Sequence, residues 1–375
     1  MNNDILALKY RPTSLAQLVG QESVISTLTN AFKDKNLYQC YIFSGAFGTG
    51  KTTCARILAA MENCEAGPTL NPCGKCQMCK DIFSGESLDI KEINAASANG
   101  IDDVRNIDDF ISVRPLLART KYVIMDEFHA MSRQAVESAL KIFEEPPKGV
   151  RFVLCTTDLH KIKGTIQSRC MPFRFLKVHW QQITEHLQSI CNKEKITAEV
   201  GALKVASKLA DGSVRNALRN LQLMINYAGL GNTISAEVAQ KALGAVLDVN
   251  WFALIDAITA KDVPTAMKII QRILNQGVDV EQILSGLTDH LRNLMILTSC
   301  RKVDELTFFA QEEKQRYEHQ IKNVTIDLII DMISLLYEIH RGIAVNINPQ
   351  ILLESYIIKS IKSHVSIERA KKQND

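Results

Sequence analysis

Residues 41–63 read YIFSGAFGTGKTTCARILAAMEN, and the fold turns on how this stretch is read. A short β-rich run, YIF (41–43), enters GAFGTGKT (45–52), which matches G-x-x-x-x-G-K-[ST]. Beyond it Cys54, Ile57, Leu58 and Met61 recur at i, i+3, i+4 and i+7, one face of a helix. Strand, glycine-rich turn and helix form the context this phosphate-binding motif requires. Glycines let successive backbone N–H groups turn toward phosphate oxygens, and the helix N-terminus adds positive potential. Gly45, Ala46, Phe47, Gly48, Thr49, Gly50, Lys51, Thr52 and Thr53 are therefore expected to bind ATP. Lys51 would neutralise the β- and γ-phosphates and the Thr52 hydroxyl would bind Mg²⁺. Only the backbone N–H of Phe47 is needed, so its bulk is expected to leave ATP binding intact.

On either side of this core, strand runs alternate with helical patterns. LDIKEI (88–93), KYVIM (121–125), RFVLCT (151–156) and PFRFL (172–176) read as strands. Val136, Ala139, Leu140 and Phe143 repeat the helical spacing before Pro146 and Pro147 stop it. Such alternation implies an α/β domain whose mostly parallel sheet is covered on both faces. KYVIM runs into Asp126 and Glu127. Beside a phosphate loop, a strand ending in two carboxylates suits hydrolysis. Asp126 would hold Mg²⁺, and Glu127 would orient and polarise the attacking water. His129 completes D-E-x-H, but a packing or capping role is expected for it.

Composition bounds the rest. The 375 residues are 46% hydrophobic and 23% charged, which excludes a wholly disordered chain and predicts two or three domains. No apolar run approaches the roughly 18–20 residues that span a bilayer, and MNNDILALKYRP lacks the pattern of a signal peptide. A cytoplasmic protein without membrane contact is expected. The net charge of +3 excludes a dominant basic field, so contact with nucleic acid must come from local patches.

Four of the ten cysteines, Cys64, Cys73, Cys76 and Cys79, form C-x8-C-x2-C-x2-C. Four thiolates and no histidine suit a closed, structural Zn²⁺ site, with free thiols or an iron–sulfur cluster as the alternatives. Cys40, Cys54, Cys155, Cys170, Cys191 and Cys300 are expected to be packed thiols. After residue 177 strand signals vanish. Three helices and a fourth around SAEVAQKALG precede a boundary near Gly244, and long helices then continue to about residue 365. ERAKKQND reads as a frayed tail. The expected domains are 1–177 with a zinc module at about 62–82, 178–243, 244–368, and a polar tail at 369–375.

YRPTSLAQLVGQ, the GKT loop, the four-cysteine insertion, DEFHAMSRQAVESALKIFEEPP, LCTTD, SRC and GSVR stand in the order found in one family. From residue 5 to about 365 the chain resembles the gamma/tau subunit family of bacterial DNA polymerase III, the AAA+ ATPase of the sliding-clamp loader. The resemblance implies an AAA+ domain with a zinc-binding insertion, a helical lid and an all-α collar. It implies that Tyr10, Arg11 and Pro12, with Val19 and Gly20, border the adenine. Thr157 would be sensor 1 and Arg215 sensor 2. Arg169 would act in trans, as an arginine finger in the neighbouring subunit's ATP site, so that hydrolysis depends on assembly. It further implies ATP, Mg²⁺ and structural Zn²⁺ as cofactors. The implied partners are delta, delta-prime and further gamma/tau copies, the sliding clamp and primer–template DNA. Asn99 and Arg105 become DNA-contact candidates, although Asp102 and Asp103 equally suit an ordinary helix start.

The expected activity is ATP hydrolysis that opens and loads the clamp. No constellation for nucleotide polymerisation appears, so a polymerase label would belong to the holoenzyme. The length fits a short gamma-like form that ends where tau continues. A P-loop helicase would leave the cysteines unexplained and would need a second parallel sheet, which the residues after 177 do not offer. A non-hydrolysing subunit of the loader would be expected to lose Lys51, Thr52, Asp126 or Glu127, and all four are present.

Overall fold

A computed structural model of the chain describes residues 5–97, 100–229, 231–244, 248–275, 278, 280–299, 311–344 and 347–374. They divide into two compact units, 1–235 and 236–375. In the first, α1 (Leu6–Lys9) and α2 (Glu22–Lys33) lead into β1 (Cys40–Gly45), α3 (Lys51–Asn63), α4 (Gln77–Ser84), β2 (Ile90–Asn94) and α5 (Ile101–Ser112). There follow β3 (Lys121–Asp126), α6 (Arg133–Glu144), β4 (Val150–Thr156), α7 (Gly164–Gln167) and β5 (Met171–Phe175). Each of the five expected strands is present. They form one sheet in the order β2-β3-β4-β1-β5, with every neighbouring pair parallel.

Parallel strands linked by helices bury both faces, and here successive residues of one strand enter different cores. Tyr41 and Phe43 of β1 pack on one face with Leu28 of α2, Ile57 and Leu58 of α3 and Ile82 of α4. Ile42 faces the other way, with Ile107 of α5, Ala139 of α6 and Ile166 of α7. Tyr41, Ile42 and Phe43 are wholly excluded from solvent, which contributes roughly 1.5–3 kcal/mol for each such side chain. The central strand is thereby fixed, and its C-terminal end carries the glycine-rich turn.

Three helices complete this unit: α8 (Trp180–Glu194), α9 (Val200–Lys208) and α10 (Val214–Ala228). Ser213 caps α10 by accepting the Asn216 N–H. Ile183, Leu187, Leu203, Leu221 and Met224 are buried.

The second unit is helical among its described residues. It comprises α11 (Ala236–Leu243), α12 (Asp248–Thr259), α13 (Val263–Asn275), α14 (Val280–Ser299), α15 (Gln311–Gln320), α16 (Ile326–Ala344) and α17 (Pro349–Asn374). Leu254, Ile258, Ile270, Leu284, Leu291, Leu328 and Tyr356 lie in its core. A polar chain runs from that core to the surface at Asp256. Gln320 donates to Asp256 Oδ1 at 2.6 Å and accepts at His290 Nε2 over 2.8 Å, while the Tyr317 hydroxyl meets His290 Nδ1 at 3.1 Å. Such a network is satisfied in only one register of α12, α14 and α15.

Two expectations are corrected. Cys40 and Cys170 are a disulfide with Cα atoms 4.6 Å apart, not separate packed thiols. Their strands are neighbours in the sheet, a proximity that spacing in the chain cannot express. The expected frayed tail is instead the end of α17, which runs to Asn374. Its Glu, Arg, Ala and Lys residues favour helix and no breaker intervenes. Cys54, Cys155 and Cys191 are free buried thiols, and Cys300 lies outside the described residues.

Candidate active site

The turn after β1 is shaped by backbone that side chains would obstruct. Gly45 has φ +146°, and a Cβ there would lie 2.1 Å from the carbonyl oxygen of Phe175 in β5. Gly48 has φ +72°, and its Cβ would meet Ser213 Oγ at 2.1 Å. The loop therefore passes between the edge strand and the start of α10. Lys51 opens α3, only 5% exposed. Its Nζ donates to the carbonyl oxygens of Gly45 and Ala46, each at 2.8 Å. Burial draws its pKa below the ordinary lysine range, against the opposing pull of Glu127 and Asp126. A phosphate entering here would compete with these loop carbonyls for the ammonium.

Thr52 Oγ1 donates to Asp126 Oδ2 at 2.8 Å, joining the start of α3 to the end of β3. Asp126 Oδ1 accepts the Glu127 N–H at 3.0 Å. Glu127 itself adopts a left-handed conformation, φ 48°, a strained state often found at functional turns. Its Oε2 accepts from Thr157 Oγ1 at 3.0 Å and lies 3.4 Å from His129 Nδ1. His129 also meets Thr156 Oγ1 at 3.1 Å. Thr157 thus reaches the site through Glu127, a link that no sequence pattern announced.

Lys51, Thr52, Asp126 and Glu127 border a cavity of about 590 Å³, lined also by Tyr10, Arg11, Pro12, Val19, Phe47 through Gly50, Thr53 and Arg215, while Thr157 and His129 are not among its lining residues. Arg11 Nε donates to Thr53 Oγ1 at 3.1 Å; burial and the neighbouring Arg56 lower its pKa. Tyr10 is held by a hydroxyl bond to Glu194 of α8. Burial and that carboxylate push its phenol up to about 12. The Arg215 guanidinium lies 5.4 Å from the Phe47 ring centroid, a cation–π contact. The backbone N–H of Arg215 donates to the Gly48 carbonyl at 3.5 Å.

Glu92, His186 and Arg219 line the same cavity, and sequence reasoning missed all three. Each sits in an ordinary strand or helix pattern without a motif. Arg169 is not among the lining residues. Its guanidinium is 2.9 Å from Glu144 Oε1 and donates to the Thr165 carbonyl. Arg105 is exposed on α5, and Asn99 lies outside the described residues.

The four clustered cysteines converge. Their Sγ atoms all lie within 4.8 Å of one another, while tetrahedral Zn–S bonds of ~2.3 Å place sulfurs ~3.8 Å apart. Cys64 caps the end of α3, Cys76 caps the start of α4, and Cys79 lies in its first turn. Backbone N–H groups of Cys76 and Lys75 point at Cys73 Sγ, at 3.3 and 3.5 Å, and draw that thiol down to about 6. Donor set and spacing therefore fit one metal ion. No helix among the described residues is long and apolar enough to cross a membrane.

Three family models match the chain. Residues 20–179 match the delta subunit of DNA polymerase III, and residues 182–221 the ATPase lid domain of the DNA polymerase III clamp loader subunit. Residues 234–372 match domain III of DNA polymerase III subunits gamma and tau. The chain is 35% identical over 340 residues to the DNA polymerase III subunit gamma of Buchnera aphidicola subsp. Acyrthosiphon pisum, covering 90% of this chain and 92% of that subunit. It is 32% identical over 359 residues to the subunit tau of Bacillus subtilis, covering 96% of this chain and 63% of the other. The chain thus spans less than two thirds of that tau subunit. A solved Thermotoga maritima RuvB mutant superposes with a TM-score of 0.50 at 18% identity, over 67% of this chain and 79% of its own. That likeness concerns the fold, which is of the AAA+ class.

Proposed function

Because the chain belongs to the gamma/tau subunit family of DNA polymerase III, we propose that it is an ATP-hydrolysing motor of the sliding-clamp loader. One observation carries this reading. Lys51, the Thr52–Asp126 pair and Glu127 meet at a single cavity, which Arg215 enters from the start of α10.

Lys51 would exchange its carbonyl acceptors for phosphate oxygens. Thr52 and Asp126 would hold Mg²⁺, which supplies charge neutralisation between the phosphates when bound. Glu127 would orient the attacking water, with Thr157 responding to the γ-phosphate through their shared hydrogen bond. Tyr10 and Arg11 would border the adenine, and Arg215 would couple the lid to bound nucleotide. Arg169 would leave Glu144 to serve a neighbouring subunit's site. We assign motor, lid and collar roles to 1–177, 178–243 and 244–368, and Zn²⁺ to the four cysteines as a structural ion. Delta, delta-prime, further gamma/tau copies, the clamp and primer–template DNA are the proposed partners, in the cytoplasm. Arg105 remains a candidate for the DNA face.

The test is ATP hydrolysis by the full chain, alone and with the other loader subunits, clamp and primed DNA. Hydrolysis should rise on assembly, and Lys51→Ala should abolish both hydrolysis and loading. Normal loading by that variant would refute the motor assignment.

A further inference from the structure

Cys40 opens β1, and Cys170 directly precedes β5, one of the two edge strands of the sheet. The parallel register pairs Tyr41 with Met171, which sets Cys40 opposite Cys170. Their Cα separation of 4.6 Å lies in the range that a disulfide spans without moving backbone. Both side chains are buried, 3% and 6% exposed, in the core that contains Ile42, Ile162 and Ile166. Arg169 is bonded to Cys170 along the chain, and its guanidinium is tied to Glu144 and to the Thr165 carbonyl. One short segment, 168–170, thus carries both a covalent anchor and the candidate trans-acting arginine.

We propose that Cys40 and Cys170 form a thiol-oxidation site whose disulfide holds the Arg169 segment in the conformer tied to Glu144. Reduction releases it. The coupling to hydrolysis rests on the reading of Arg169 given above; formation of the bond does not.

Oxidation breaks two S–H bonds and forms one S–S bond. The two electrons and two protons pass to a small two-electron acceptor, a peroxide or a diazenedicarboxamide. A dithiol reductant reverses the step by thiolate attack and ends as its own disulfide. In a compartment that keeps thiols reduced, a disulfide that forms is characteristically transient and redox-sensing. The position suits that role, because an edge strand is paired on one side only and opens locally at lower cost than a central one. Other buried cysteines lack this opportunity. Cys54 and Cys155 lie wholly inside, burial raises both thiols, and each is free. The knuckle cysteines converge on one another in an arrangement that fits a metal ion.

The full chain, reduced with dithiothreitol and then exposed to diamide without denaturant, should yield a linked peptide pair joining Cys40 to Cys170 by mass spectrometry. The pair should weigh two hydrogens less than the separate peptides. In the assembled loader, oxidised protein should hydrolyse ATP with primed DNA about tenfold more slowly than reduced protein. That is well inside the ~10³–10⁵ a trans arginine supplies, and dithiothreitol should restore the rate. Cys40→Ala, with Cys40→Ser as a second variant, should match the reduced rate and ignore diamide. Both variants retain the four knuckle cysteines, so loss of metal to the oxidant would slow them equally. Three results would overturn the proposal: no linked peptide from native protein, a linked peptide with unchanged hydrolysis, or the same slowing in both Cys40 variants. Failure of the motor reading registers separately, as undiminished hydrolysis by Lys51→Ala, and leaves the linked peptide unaffected.

Discussion

At the scale of single residues, the glycine-rich turn is specified twice over. The motif requires small residues for phosphate approach, and the packing requires one at Gly45 for a different reason. Its absent side chain is the space that the Phe175 carbonyl fills. Gly45→Ala should therefore destabilise the fold by more than about 2 kcal/mol, read as a lower urea midpoint with no nucleotide present. Unchanged stability would mean that β5 can retreat. Lys51, Thr52, Asp126 and Glu127 were readable from sequence because each belongs to a short motif in known local structure. Glu92, His186 and Arg219 were not, since their place at the cavity comes from helices and strands distant in the chain.

Among the elements, the link between β2 and β3 depends on one buried carboxylate. Asp89, 2% exposed, accepts N–H bonds from Leu116, Leu117 and Ala118 at 2.7–3.1 Å. Burial alone would raise its pKa; the three N–H groups and Lys121 outweigh burial and lower it. A depressed folded-state pKa contributes stability that is complete above the unfolded value of about 3.9 and is lost as pH falls through the folded value. Asp89→Ala should cost about 3 kcal/mol near neutral pH, and its unfolding midpoint should fall less than that of the parent protein as pH drops below about 4. Equal acid sensitivity of the two proteins would remove Asp89 from this account. The connection between α3 and α4 carries the four converging cysteines proposed to hold Zn²⁺. Elemental analysis should find about one zinc per chain, and a strong chelator should loosen this segment, seen as new proteolytic cleavage between residues 64 and 79. A folded protein indifferent to chelation and free of metal would refute the site.

For the molecule as a whole, the proposed function implies that the isolated chain holds an incomplete hydrolytic apparatus. Arg169 is tied within its own subunit to Glu144 and is absent from the cavity that holds Lys51 and Glu127. Arg169→Ala should leave nucleotide binding by the free chain unchanged and lower hydrolysis in the assembled loader by ~10³ or more. Equal loss in the free chain would place its role within the subunit. The second unit had no motif to declare it; long amphipathic helices signal an all-α core and nothing of its polar interior. The chain from His290 to Gln320 and Asp256 joins residues on three helices, and no periodicity couples them.

Strand–turn–helix at 41–63, the carboxylates ending β3 and the cysteine spacing are local patterns, and local physics, hydrophobic period, turn geometry and ligand valence, suffices to read them. The α/β class, the glycine-rich turn and the convergence of the four cysteines were legible on that basis. Other features depend on which strands become neighbours. The order β2-β3-β4-β1-β5 brings Cys40 against Cys170, Gly45 beneath Phe175 and Thr157 onto Glu127. Each of those contacts joins segments 30 or more residues apart in the chain. Their proximity follows from burying both faces of one sheet, a requirement that no single segment meets alone.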